Sequence, residues 1–147
     1  MDIKLDDIIN HRISMLSLFM KRHIIKIIAD NNLGITPEQW VILSYLWEED
    51  GLSIGEIASR SKKDFANVTR IIDKLIKLGY VTKKRSERDG RIFHIYLQQK
   101  AEIIKNDVQN CWQQASEVAL TGIAPSEQQH FMKTLEEIEN NILNDLQ

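Results

Sequence analysis

The 147-residue sequence has 43% hydrophobic side chains, enough for one folding unit with a proper core and with no sign of a second lobe. Its single cysteine, Cys111, rules out an internal disulfide and any zinc site built on paired thiolates, and no apolar stretch reaches the ~18 uninterrupted residues of a membrane span. The first seven residues lack the basic-then-apolar pattern of a secretory signal, so a cytoplasmic protein is expected. The formal net charge of −2 conceals an asymmetry: from Arg60 to Arg91 eleven Lys and Arg face four Asp and Glu, a local balance of +7, while the remainder carries −9.

Apolar residues Ile9, Ile13, Leu16, Met20 and Ile27, widened by Leu5, Ile8, Phe19 and Ile24, recur at helical spacing and predict one long helix over Leu5–Ala29. Asn31-Asn32-Leu33-Gly34 closes it, since Asn and Gly tolerate the left-handed conformation. Thr36-Pro37-Glu38-Gln39 then supplies an N-cap oxygen, a first-turn proline and a glutamine at the third position. These open a second helix that buries Val41, Leu43, Leu46 and Trp47 and stops at Asp50-Gly51. A second capping box, Ser53 to Glu56, starts a helix of about two turns ending near Ser59.

After the polar turn Arg60-Ser61-Lys62-Lys63, Asp64 caps a fourth helix in which Val68, Ile71, Ile72 and Leu75 repeat at i, i+3, i+4 and i+7, and Gly79 ends it. The period then changes. Tyr80–Arg85 and Arg91–Leu97 read as strands, and Ser86 to Gly90 between them carries the Asp-Gly hairpin signal. The C-terminal third is helical again, with Ile104, Val108, Cys111, Ala115 and Val118 forming a seam that suits a partner helix. Beyond Thr121-Gly122, Pro125 opens a last helix bearing Phe131, Leu135, Ile138, Ile142 and Leu146.

Two short helices joined by a tight turn, then a hairpin, follow the order of a winged helix-turn-helix: a mainly α chain with a small β wing, whose second short helix enters the major groove. With Val68 to Leu75 packed inward, Ala66, Arg70, Asp73 and Lys77 point outward, flanked by Asn67, Thr69 and Lys74. Arg70 suits guanine bidentately, Asn67 suits adenine, and Ala66 or the Thr69 methyl suits the thymine methyl. On the wing, Lys83, Lys84, Arg85, Arg88 and Arg91 repel one another until a polyanion relieves them. An arginine at the tip can enter a minor groove, with Asp89 orienting Arg91 by a charge-assisted pair. The predicted duplex-binding set is therefore Phe65, Ala66, Asn67, Thr69, Arg70 and Lys74 on the helix with Lys84, Arg85, Arg88, Asp89 and Arg91 on the wing.

Trp40, the run Val68-Thr69-Arg70-Ile71-Ile72-Asp73-Lys74-Leu75 followed by Gly79-Tyr80-Val81, and Asp89-Gly90-Arg91 before the strand ending at Leu97 resemble the MarR family, over nearly the whole chain. The resemblance implies that the helix from Asp64 is the recognition helix, that Arg91 is the minor-groove finger, and that residues 35–97 form the DNA-binding lobe. Residues 1–34 and 98–147 would be a helical dimerisation module. Ile3, Leu5, Ile8, Ile138, Ile142 and Leu146 are expected at the homodimer interface, because such residues are costly to expose on a monomer. A two-fold dimer presents its recognition helices ~34 Å apart, which implies a pseudo-palindromic operator in double-stranded DNA. The resemblance further implies repression by promoter occlusion and release by a small aromatic or phenolic effector, in a pocket bordered by His11, Met15, Trp40 and Trp112 between that module and the lobe.

Three positions depart from the family pattern: Leu97-Gln98-Gln99-Lys100-Ala101 lacks the usual threonine cap, Lys83 stands where arginine is usual, and Ala124 sits at the expected cap of the last helix. Local capping should weaken by ~1 kcal/mol at each lost cap.

Against these readings stand blander ones. Cys111 on an apolar stripe reads as a small packed hydrophobe, and Trp40, Trp47 and Trp112 read as core. His11, His23, His94 and His130 offer no i, i+4 pair, so no metal is expected. Glu136-Glu137 is a solvated pair, and no Ser/His/Asp order, P-loop or dinucleotide fingerprint is present, so neither catalysis nor a cofactor is expected. The competing functional reading is a winged-helix protein-interaction module, without specific DNA binding, whose basic wing meets an acidic partner.

Overall fold

The computed structural model describes residues 2–147, so the opening residue of the 1–34 segment lies outside the described residues. Among those residues the order is a 3-10 turn (Leu5–Asp7), then α1 (Ile9–Asp30), α2 (Pro37–Glu48), α3 (Ile54–Ser61) and α4 (Phe65–Lys77). The strands β1 (Val81–Arg85) and β2 (Phe93–Leu97) follow, and then α5 (Gln99–Ala119) and α6 (Pro125–Asp145). The chain divides into two compact units, the first ending at Gln113 and the second being Gln114–Gln147.

In the first unit, the side chains shielded most completely include Ile42, Leu43 and Leu46 of α2, Ile57 of α3, Val68, Ile72 and Leu75 of α4, Val81 of β1 and Ile95 of β2. Each contributes ~1.5–3 kcal/mol by leaving water, so the densest core belongs to the helices and hairpin of the predicted lobe. α2 packs on α3, α4 and β2, and α4 packs on β1. The hairpin is antiparallel with Val81 opposite Leu97 and Arg85 opposite Phe93. This is the winged helix-turn-helix arrangement that the sequence predicts.

The caps form as read. Thr36 Oγ1 accepts from Gln39 N at 3.1 Å while Gln39 Oε1 accepts from Thr36 N at 3.0 Å. Ser53 and Glu56 make the same reciprocal pair at 3.1 and 2.9 Å, and Asp64 Oδ1 accepts from Asn67 N at 2.7 Å. Asn32 and Gly34 take positive φ after α1, as the closing sequence requires.

Several expectations are corrected. The long helix begins at Ile9 instead of Leu5, because Ile8 is extended (φ −89°, ψ 117°) and offers no side-chain cap, leaving Leu5–Asp7 as a separate turn. In α2 the buried positions are Gln39, Ile42, Leu43 and Leu46, while Val41 and Trp47 are only half-buried. α3 runs on to Ser61, since Lys62 rather than the Arg60-Ser61 stretch takes the left-handed stop at φ 55°. Both strands begin one or two residues later than read.

The Asp89-Gly90 turn also differs. Gly90 is not among the glycines with positive φ, so this is not the primed two-residue turn associated with that dipeptide. Side chains close the loop instead: Ser86 Oγ accepts from Arg88 N and Asp89 N at 3.2 and 3.3 Å, and Ser86 N donates to Ile92 O at 2.8 Å.

A further edge was invisible in the sequence. Ile95 N donates to Leu52 O at 2.9 Å, Gly51 N donates to Ile95 O at 3.0 Å, and Ser53 forms an isolated bridge with His94. Asp50 Oδ1 also accepts from Leu97 N at 2.9 Å, so the wing is tied to the α2–α3 connection along its second strand.

On α1 only Ile24, Ile27 and Ile28 are buried, while Ile9, Ile13, Leu16 and Met20 of the predicted stripe are 40–56% exposed. Of the α5 seam, Val108 and Cys111 are buried, and Ile104 and Ala115 are half-buried. In the second unit Phe131, Ile142 and Leu146 are exposed, with Leu135 and Ile138 half-buried.

Candidate nucleic-acid interface

The α3–α4 turn fixes the pitch of the outward helix. Lys62, held at φ 55° and ψ 30°, lets Lys63 N reach back to Ala58 O at 3.3 Å, which closes α3 and redirects the chain into the Asp64 cap. A lysine in this region costs ~1 kcal/mol, which the packing of α3 on α4 absorbs. Val68, Ile71, Ile72 and Leu75 face inward, so Ala66, Arg70, Asp73 and Lys77 are left outward and exposed.

Phe65, Ala66, Thr69, Arg70, Lys74 and Lys77 line one open concavity of about 590 Å³ along α4, together with Asp73. A second groove beside it joins Asn67, Arg70 and Lys74 to Lys63 and Glu38. Arg70 Nη2 donates to Asn67 Oδ1 at 2.7 Å, and Thr69 Oγ1 donates to Phe65 O at 2.8 Å. Lys63 and Lys77 therefore join the predicted set. In the sequence Lys63 sits in what reads simply as a polar connector.

The wing presents its cations on both faces. Lys83 Nζ lies 4.8 Å and Arg85 Cζ 5.3 Å from the centre of the Phe93 ring, and Lys84 Nζ lies 5.1 Å from that of Tyr96. These contacts hold the charged stems along the hairpin, so the crowded positive charge is partly accommodated before any anion arrives. At the tip Asp89 Oδ1 accepts from Arg91 N at 3.0 Å and from Arg91 Nε at 3.1 Å, and Oδ2 accepts from Nη2 at 3.3 Å. The Arg91 side chain is nevertheless 91% exposed, so it is aimed and remains accessible. Its guanidinium holds the Asp89 carboxyl below the ordinary range, first through the side-chain hydrogen bonds and then through the backbone one.

Other cations are engaged in the fold. Arg60 pairs with Glu49 and Lys21 with Glu38, the latter at 2.9 Å. Lys100 Nζ donates to Leu78 O at 2.6 Å, satisfying an orphan carbonyl at the end of α4, and lies over Tyr80. The hydrogen bond from Lys21 lowers the pKa of Glu38, against partial desolvation.

Of the residues read as an effector site, Trp40 and Trp112 stack with centroids 3.6 Å apart and planes 25° apart, while His11 and Met15 are half-buried on α1. Neither indole Nε1 of that pair has an acceptor among the described residues. Of the residues read as a dimer interface, Ile3, Leu5, Ile142 and Leu146 are 54–76% exposed, and Ile8 and Ile138 are half-buried. Cys111 is buried and its thiol pKa is raised, chiefly by desolvation and then by Asp107, which accords with a packed residue. No described helix is long and apolar enough to cross a membrane.

Comparison with known proteins identifies the arrangement. The MarR family profile matches residues 35–93, which hold α2 to the start of β2. The HTH-type transcriptional regulator TtmR of Methylorubrum extorquens (strain PA1) is 37% identical over 71 residues, covering 48% of this chain and 36% of that protein. The organic hydroperoxide resistance transcriptional regulator of Bacillus subtilis (strain 168) is 29% identical over 75 residues, covering 51% of each. The matched stretch thus spans about half or less of these curated relatives. Among solved structures, the MarR protein from Peptoclostridium difficile DA00132 superposes with a TM-score of 0.86 at 27% identity, covering 99% of this chain and 94% of that one. The motif, the fold and these similarities agree: residues 35–93 match the MarR family, and the chain is similar in fold to its winged helix-turn-helix transcriptional regulators.

Proposed function

We propose that this protein is a sequence-specific, double-stranded-DNA-binding transcriptional regulator, a repressor released by a small ligand, and that it is not an enzyme. The observation that carries the reading is the outward face of α4, where Arg70 and Lys74 share one concavity with small and apolar groups, next to a wing whose tip arginine is held by a carboxylate yet accessible. In this reading residues 35–97 contact DNA, with α4 in the major groove, Arg91 in the minor groove and Lys84, Arg85 and Arg88 on phosphates. Residues 1–34 and 98–147 make a homodimer, in keeping with the exposure of Ile3, Leu5, Ile142 and Leu146, and the operator is a pseudo-palindrome.

The effector is a small aromatic molecule bearing a hydrogen-bond acceptor, bound at His11, Met15, Trp40 and Trp112. The stacked indoles supply π surface, and their two unpartnered N–H groups favour an acceptor because an unmet buried donor costs ~1–3 kcal/mol. It would act by binding more tightly to a conformation whose helices are spaced wrongly for the groove.

The test is selection of bound duplexes from random DNA, followed by titration of the winner and a scrambled duplex at several salt concentrations. A regulator enriches a two-fold-related sequence and loses affinity steeply with salt, and Arg91→Ala weakens it with a shallower salt slope. A protein-interaction module enriches nothing. Sedimentation showing a stable monomer at micromolar concentration would remove the dimer, and an absence of indole fluorescence change across a panel of phenolic acids would remove the effector site.

A further inference from the structure

Two hydrogen bonds on α4 alter what its outward face can read. To recognise adenine, an asparagine needs both ends of its amide, the oxygen accepting from N6–H and the nitrogen donating to N7. In this chain the Asn67 oxygen already accepts from Arg70 Nη2 at 2.7 Å, which occupies one of its two lone-pair directions and ties the amide to the arginine. That bond has a charged donor, and such bonds are roughly twice as strong as the neutral bond an adenine amino group would offer in exchange. Arg70 spends one of its five N–H donors on the contact and keeps enough to grip O6 and N7 of guanine. The backbone of Asn67 is fixed as well, since its N–H donates to Asp64 Oδ1 at 2.7 Å. The amide therefore orients an arginine more readily than it reads a base.

Thr69 is changed in the same sense. Its hydroxyl proton goes to Phe65 O at 2.8 Å, so it has no proton left to offer a base. Phe65, 58% exposed at the first turn of α4, and Ala66 lie along the same concavity. The N-terminal half of this face thus presents apolar groups and a hydroxyl that can only accept, up to a single aimed cation. In a major groove the apolar group that distinguishes one base pair from the others is the thymine C5 methyl.

We propose that Asn67 is a positioning residue that aims Arg70 at a guanine, and that Phe65, Ala66 and Thr69 select thymine methyls beside it. Each half-site then contains a guanine next to thymine, with no adenine selected through Asn67. This rests on the DNA-binding reading above.

The experiment is selection from random duplexes with the full-length protein and its Asn67→Ala, Asn67→Asp and Arg70→Ala variants, followed by titration of the selected duplex carrying single-atom changes. For the unaltered protein, replacing the guanine with 7-deazaguanine, or the adjacent thymine with deoxyuridine, weakens binding by about threefold or more at each half-site. Asn67→Ala flattens the preference at the guanine position, with about a tenfold loss on the selected duplex, and leaves the other positions alone. Asn67→Asp keeps an acceptor for Arg70, so it retains guanine as first choice despite weaker binding to every duplex. An adenine preference that disappears in Asn67→Ala while guanine stays selected would overturn the assignment, as would indifference to deoxyuridine. Enrichment of a defined site that lacks the guanine beside thymine would overturn it alone, whereas enrichment of no sequence, or no binding even in dilute buffer, would bring down the DNA-binding reading as well.

Discussion

Replacing Asp89 by alanine separates charge from aim at the wing tip. The carboxylate holds three donors of Arg91, two of them on the guanidinium at 3.1 and 3.3 Å, while leaving that side chain 91% exposed. Its removal gives each wing one more net positive charge, which at ~7 Å from a phosphate in water strengthens attraction to any duplex about threefold. It also frees an arginine that must be ordered again on entering the groove, which weakens binding by roughly two- to twelvefold wherever the tip has to be inserted. The charge gain is common to specific and random DNA and cancels in their ratio; the ordering loss does not. Competition between a selected operator and a scrambled duplex at about 0.1 M salt, where charges still interact over ~10 Å, should show random binding rising and the specificity ratio falling two- to twelvefold per wing. A ratio equal to that of the parent protein would show that Asp89 does not aim Arg91, and the minor-groove assignment would lose its geometric support.

Three further outcomes are expected. Gly51→Ala should destabilise the first unit by ~1–3 kcal/mol in urea unfolding, since Gly51 has φ 81° and a Cβ there would lie 2.9 Å from Tyr96 Cε1. Ala124→Ser should raise stability by ~1 kcal/mol, because Ala124 already has cap geometry (φ −63°, ψ 145°) without a cap bond, and Glu127 at the third position completes a capping box. The Glu38 pKa is depressed by Lys21, so the stability from this pair is fully present above the ordinary glutamate range and lost on acidification through its folded value. Lys21→Met should therefore flatten that acid limb of stability against pH.

How much was legible in the sequence depended on how local the physics is. Caps are satisfied within four residues, so Thr36, Ser53 and Asp64 could be read directly and the helices they open followed. The face of α4 was equally legible because one strong apolar period sets both its sides. Long-range pairing was not: nothing near Gly51 announces that it will meet Ile95, and nothing near Asp50 that it will hold Leu97 N. The wing loop misled in another way, since a serine and an aspartate replaced the positive-φ glycine that Asp89-Gly90 suggested. Asn67 shows the same limit at the interface, because its residue type indicates an adenine reader and only its geometry reveals an oxygen already in use.

The treatment of individual cations gives the positive block its internal logic. Arg70 and Arg91, the two to which the proposed DNA-binding reading gives particular atoms in a groove, are each held by a neighbour's oxygen, Asn67 in one case and Asp89 in the other. The side-chain ammonium groups of Lys74 and Lys77 make no hydrogen bond or ion pair among the described residues, which suits groups that only neutralise phosphates and can do so from many rotamers. Aim requires prior ordering, and screening does not. The two classes should therefore separate in one measurement: removing Lys77 lowers the salt slope by about one ion per site and leaves base preference intact. Removing the oxygen that holds Arg70 alters preference with little change in slope. If both variants shifted only the slope, the ordered arginines would be phosphate contacts like the rest, and the hydrogen bonds that hold them would have no part in recognition.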